Sequence, residues 1–177
     1  MIFNQSEFDL RCEWGHQGIN QLAPISDVVI IVDILSFSTA VEIATNNGAI
    51  IFPYQWKDSS AVDYAKSIKA ELATKRTSTT GYSLSPQSLT KISKGTKLVL
   101  PSPNGSSLTL LTGNKPTLAG CLRNCEAVAR FAQNYSARVT VIPAGEKWED
   151  GSLPPSLEDI NGAGAIKRYF SGRLSPE

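Results

Sequence analysis

Apolar and polar positions follow two rhythms along the chain. Val28–Val32 is an unbroken run of five β-branched apolar residues, the pattern of a strand buried on both faces. Residues 49–54, 97–100 and 138–142 read as further strands, and Thr117–Gly120 as a short one. Between them the period lengthens to that of a helix. Phe37–Asn46 turns Val41, Ile43 and Ala44 toward a core and stops at Asn47-Gly48. Asp58-Ser59-Ser60 caps a helix carrying Val62, Ala65, Ile68 and Leu72 at helical spacing. Pro86 opens a short helix to about residue 92, and residues 104–111 form the next. Residues 123–135 place Val128, Phe131 and Ala132 on one side, and Ser156 caps a last helix carrying Ile160, Ala163, Ile166 and Phe170.

The remaining segments read differently. Phe8, Leu10 and Cys12 alternate with polar residues, as on a half-buried edge strand, and residues 14–18 read as a loop from their glycines. Residues 74–85 and 145–155 are polar loops, and Ser175-Pro176 has the look of a helix cap with proline at the first helical position. Strands alternating with helices predict an α/β protein with three α/β/α layers around a mostly parallel sheet. An antiparallel first strand would make that sheet mixed. The 177 residues suffice for one domain over 1–177 with a sizeable core.

Composition narrows the function classes. Hydrophobic residues are 41% and charged residues 19%, which argues against disorder. A net charge of +1 with no basic stripe gives no reason to expect nucleic acid as a partner. The longest apolar run is far too short to span a bilayer, and the acids Glu7, Asp9 and Glu13 leave no signal-peptide core. The expected setting is cytoplasmic, with no membrane partner, and with association into a homo-oligomer left open. Cys12, Cys121 and Cys125 are too few for a disulfide framework, and with His16 the single histidine a zinc site lacks partners.

The candidate chemistry collects where strands end and helices begin, which in an open α/β sheet is one crevice. Asp33 ends the Val28–Val32 strand and is followed by Ser36, Ser38 and Thr39. Pro101-Ser102-Pro103-Asn104-Gly105-Ser106 ends another strand, Cys121-Leu122-Arg123-Asn124 a third, and Glu158-Asp159 opens the last helix. Hydroxyls and glycines at helix starts suit an oxyanion, above all a phosphate. Carboxylates beside it would repel a bare phosphate, and a bridging Mg²⁺ removes that conflict. Each piece also has a purely structural reading. Asp33 and Asn124 serve equally as caps, Asn104-Gly105 as a turn, and Glu158-Asp159 as acids favoured by a helix dipole.

At these same junctions the sequence resembles the 2-phosphosulfolactate phosphatase (ComB-like) family. The similar segments are EWGHQGI, VVIIVDILSFSTAVEIATNNGA, SLSP, LVLPSPNGSS, LRNCEAVA, and VIPAG followed by SLEDINGAGAI, in matching order over most of residues 13–170. The resemblance implies an α/β/α fold with a mixed sheet. It implies a Mg²⁺-dependent phosphomonoester hydrolase for a small phosphorylated hydroxy acid, as in coenzyme M biosynthesis. Asp33, the Asn104-Gly105 pair, Asn124 and the Glu158-Asp159 pair fall on the family's corresponding residues.

The chain also departs from the family pattern. Ser36 stands where members usually carry an arginine, Leu84 where they carry an asparagine, and Gly162 where they carry a cysteine. Pro101-Ser102-Pro103 replaces threonines, and residues 75–81 replace a Gly-Glu-Arg-Gly tract. Most members also continue for another helix or two, so this one reads as a C-terminally shortened form. Ser36 cannot supply an arginine's charge or its planar fork. Lys75 or Arg76 would have to reach in from the polar loop, and the simpler reading leaves both solvated.

Two functions are therefore carried forward. In the first, Asp33, Glu158 and Asp159 are catalytic and hold Mg²⁺, while Ser36, Ser38, Ser102, Asn104, Gly105, Ser106 and Asn124 bind the substrate's phosphate. In the second, the chain is a degenerate, non-catalytic member that binds a small anion or a protein partner. Acyl hydrolysis by Ser38 or Ser102 lacks a Gly-x-Ser-x-Gly elbow and a placed histidine.

Overall fold

The structure, a computed structural model, describes residues 5–78, 80–146 and 156–176. Its strands are β1 (Leu10–Cys12), β2 (Val28–Val32), β3 (Ile50–Tyr54), β4 (Glu71–Leu72), β5 (Lys97–Pro101), β6 (Thr117–Gly120) and β7 (Val139–Pro143). Its helices are α1 (Gly15–Leu22), α2 (Phe37–Asn46), α3 (Ser59–Ser67), α4 (Pro86–Leu89), α5 (Gly105–Leu111), α6 (Cys125–Tyr135) and α7 (Leu157–Lys167). The α/β class holds. The strands, however, divide into two sheets, one ordered β1-β7-β2-β6 and the other β3-β5-β4.

All strand pairings in the described residues are parallel, so every strand of a sheet ends on the same side. Strand β2 is the centre of the first sheet, flanked by β7 and β6. Its five residues are completely buried, as the β-branched run requires. Val28, Ile30 and Val32 pack into one cluster with Ala129 and Ala132 of α6 and Ala163 and Ile166 of α7. Val29 and Ile31 face the other way, onto Ile19 of α1 and Leu108 of α5. Helices thus cover both faces of this sheet. A separate core joins Phe37, Ala40 and Ala44 of α2 to Leu98 and Leu100 of β5, so α2 lies against the second sheet.

Four expectations are corrected. Strand β1 pairs in parallel with β7 rather than antiparallel. Its alternation misled because Arg11, polar in the sequence, is 2% exposed and donates to the carbonyls of Gln5, Ser6 and Ile25. The supposed loop at 14–18 holds the start of α1, in which Gly18 packs so tightly on Glu13 that a Cβ would stand 2.6 Å from its carbonyl oxygen. Leu72 is not on α3, which ends at Ser67. Lys69 takes a left-handed φ of 53°, and the chain then turns into β4. Ser175, expected as a helix cap, instead donates its N–H to Leu10 O at 2.9 Å, beside a bridge between Leu174 and Leu10. Most of the 145–155 loop lies outside the described residues.

Candidate active site

A carboxylate at the end of a buried strand needs partners, and Asp33 has two. It is 7% exposed. Its Oδ1 accepts the N–H of Phe37 in the first turn of α2 at 3.1 Å, and its Oδ2 accepts the N–H of Gly105 at the start of α5 at 2.9 Å. The second bond fastens the end of β2 to the helix that follows β5, joining the two sheets at one rim. Position 105 admits only glycine, because a Cβ there would stand 2.2 Å from Phe37 Cδ1.

Asp159 comes from the first turn of α7 and arrives at the same place. Its Oδ1 accepts the N–H of Ile34, the residue after Asp33, at 2.8 Å, and its Oδ2 accepts the N–H of Gly145 after β7 at 3.0 Å. Gly145 has a φ of 69°, the left-handed region in which glycine is unstrained. Asp33 and Asp159 are therefore neighbours although 126 positions separate them.

Both carboxyls are held above the ordinary aspartate range. For Asp33 burial is the main cause, opposed by the Phe37 and Gly105 N–H bonds; Glu146 pushes the same way as burial and Arg76 against it. Asp159 is pushed up to about 7, first by burial and then by the charges of Asp33 and Glu158, against the N–H bonds of Ile34 and Gly145. Glu158 itself is half-buried.

The structure brings Asp33 and Asp159 together, with Glu158 near Asp159 but not joined with them in a three-acid group that could hold a metal, and it redistributes the binding residues. Ser38 is fully buried; it accepts the Asp33 N–H at 3.0 Å and donates to Ile31 O at 2.9 Å. Ser106 donates to Leu100 O at 2.7 Å. Asn124 closes its own turn, accepting from Cys121 N–H at 2.8 Å and donating to Ala119 O at 3.0 Å. The Gly105 N–H is spent on Asp33. These four were expected against an anion, and their polar groups instead hold the rim in shape. Ser102 is buried with its backbone bonded to Tyr54, and its hydroxyl makes no hydrogen bond among the described residues. Asn104 Nδ2 reaches Glu146 Oε2 at 3.5 Å. Ser36 donates to Leu84 O at 2.6 Å and accepts from Arg76 Nη2 at 2.9 Å.

Residues 16–176 match the family model described as 2-phosphosulpholactate phosphatase. The chain belongs to the 2-phosphosulpholactate phosphatase family. No curated protein matches it. As a member of this phosphatase family, it carries at its rim two groups that the sequence reading did not place there. Glu146, three residues past the end of β7, adds a further acid near Asp33, and Arg76 brings a guanidinium. Glu146 was hidden in a loop read as polar connection, although its place just past a strand end was the available signal.

Among the described residues no group of three or more His, Cys, Asp or Glu side chains is arranged to hold a metal ion. No helix there is long and apolar enough to cross a membrane.

Proposed function

We propose that this family member is a Mg²⁺-dependent phosphatase acting on the phosphomonoester of a small anionic hydroxy acid, of the 2-phosphosulfolactate kind. The observation that carries the reading is the meeting of Asp33 and Asp159 at one rim through the backbone of residues 33 and 34. Two carboxyls raised first by burial, then Asp33 by the charge of Glu146 and Asp159 by those of Asp33 and Glu158, fit a cation, which would relieve that repulsion. The set is too small for a protein-only cage, but Mg²⁺ commonly takes one or two carboxylates and completes its shell with water and phosphate oxygens. Asp33 and Asp159 would hold it, each oxygen keeping one lone pair beyond its N–H bond.

Mg²⁺, when bound, would neutralise charge on the phosphoryl oxygens. The chain's own residues do the rest. The Phe37, Gly105, Ile34 and Gly145 N–H groups fix the two carboxylates so that nothing reorganises on binding. Glu158, half-buried and close enough to repel Asp159, takes the proton from the attacking water. Cytoplasmic location and a role in coenzyme M biosynthesis belong to the same reading.

The test is release of phosphate from phospholactate-type esters with Mg²⁺. Asp33→Asn is expected to lower turnover by about a hundredfold or more while the protein still melts cooperatively; undiminished turnover removes Asp33 from the mechanism. The rival reading, a non-catalytic anion or partner binder, draws on the occupied oxygens of both carboxylates. It predicts phosphate binding by calorimetry with no turnover under any divalent metal.

A further inference from the structure

The acids lie on one half of the rim, and the cations without an acidic partner on the other; Arg123, which follows β6, is paired with Glu42. Asp33, Glu146 and Asp159 stand at the ends of β2 and β7 or at the helix facing them, in the first sheet. Lys57 follows β3, and Lys75 and Arg76 follow β4, in the second sheet. The three cations crowd one another. Lys57 Nζ donates to Thr74 O at 2.6 Å, and its pKa is lowered first by burial and then by Lys75 and Arg76. None of the three forms an ion pair among the described residues.

Arg76 differs from four of the other arginines; Arg168 and Arg173 likewise form no ion pair among the described residues. Arg123 is paired with Glu42, Arg130 with Glu126 and Arg138 with Asp27, while Arg11 is sunk among carbonyls. Arg76 makes one hydrogen bond in the described residues, from Nη2 to Ser36 Oγ at 2.9 Å. The Ser36 hydroxyl is itself fixed by Leu84 O, so it presents a lone pair in a set direction. The remaining guanidinium donors make no hydrogen bond among the described residues, and the side chain lines a cavity of about 530 Å³ with Ser36, Thr39, Ser85 and the Glu42-paired Arg123. Its charge is felt at Asp33. A larger cavity, of about 630 Å³ beside Asp9 and Tyr169, shares no residue with this rim.

We propose that Arg76, aimed by Ser36 and backed by Lys57 and Lys75, is the group that grips the anionic oxygens of the bound phosphate. The guanidinium thus reaches Ser36 from a loop 40 positions further along the chain. Its planar fork meets two phosphate oxygens at once, which an ammonium cannot do. Ser36 is a positioning residue: it touches Arg76, not the anion. This rests on reading the rim as a phosphate-ester site.

The experiment is calorimetric binding of inorganic phosphate to the full chain, with and without Mg²⁺. Arg76→Ala is expected to weaken binding by about tenfold or more, with unchanged melting, and millimolar guanidinium is expected to restore part of the loss. Arg76→Lys falls between. Arg130→Ala, on the outer face of α6, binds as the wild type does. Ser36→Ala weakens binding less than Arg76→Ala, and the double variant is no weaker than Arg76→Ala alone. Wild-type protein that binds no phosphate, or Arg76→Ala that binds it undiminished, overturns the proposal. A Ser36→Ala loss that persists in the Arg76→Ala background overturns the positioning role. Arg76-dependent binding without hydrolysis of any ester leaves the clamp standing and removes the phosphatase reading.

Discussion

Asp33 and Asp159 each spend two carboxylate oxygens on backbone N–H groups, yet both keep raised pKa values because burial outweighs those bonds. The sign of the consequence follows by linkage. Asp159 titrates at about 7 when folded against 3.8 ordinarily, so between those values the folded chain holds more protons than the unfolded one. Stability of the metal-free protein is then expected to fall as pH rises from about 4 to about 7. Melting temperatures across that window, with and without Mg²⁺, check this. A decline that Mg²⁺ reduces at the upper end is the expected result; stability rising with pH contradicts it. Ser38 carries a second prediction. Its hydroxyl serves a buried N–H and a buried C=O, so Ser38→Ala is expected to cost about 2 kcal/mol, read as a lower denaturant midpoint. The residue type and place of Asp33 were legible in the sequence; the use of Ser38, Ser106 and Asn124 was not. A hydroxyl near a helix start looks the same whether it turns to a ligand or to its own strand.

Elements were legible where periodicity was strong. The β-branched run gave β2 to within a residue at each end, and the helical pattern gave α2. It failed where a glycine or a charge stood for something other than a loop or a surface. Gly15 and Gly18 belong to α1, Gly15 with a left-handed φ of 51° and Gly18 so close to Glu13 that a side chain is excluded, and Arg11 is interior to β1. Phe131, expected on the core side of α6, is 54% exposed and stacks on Tyr135, while Val128 and Ala132 are buried. The start of α5 is the element on which the site turns. Gly105→Ala would drive a methyl into the Phe37 ring and displace the N–H from Asp33. A loss of about 1–3 kcal/mol is expected from overpacking, together with loss of phosphate binding. Unchanged stability would mean that α5 shifts freely, and the Asp33–Gly105 bond would then position nothing.

At the scale of the molecule, two parallel sheets present their strand ends to one rim. The first contributes acids and the second contributes cations, and Asp33 bonds the two together through Gly105. The sequence could show that its junctions held carboxylates and hydroxyls. It could not show two sheets, because strand order and the break between the sheets depend on long-range packing that no local pattern records. The pairing of charge across that break is likewise a property of topology. The most direct measurement is the anomalous difference density of a crystal soaked with Mn²⁺, in place of Mg²⁺, and inorganic phosphate. The account predicts one manganese peak beside the carboxylates of Asp33 and Asp159, with phosphate between it and Arg76. Manganese bound elsewhere, with those two carboxylates bare, would contradict it.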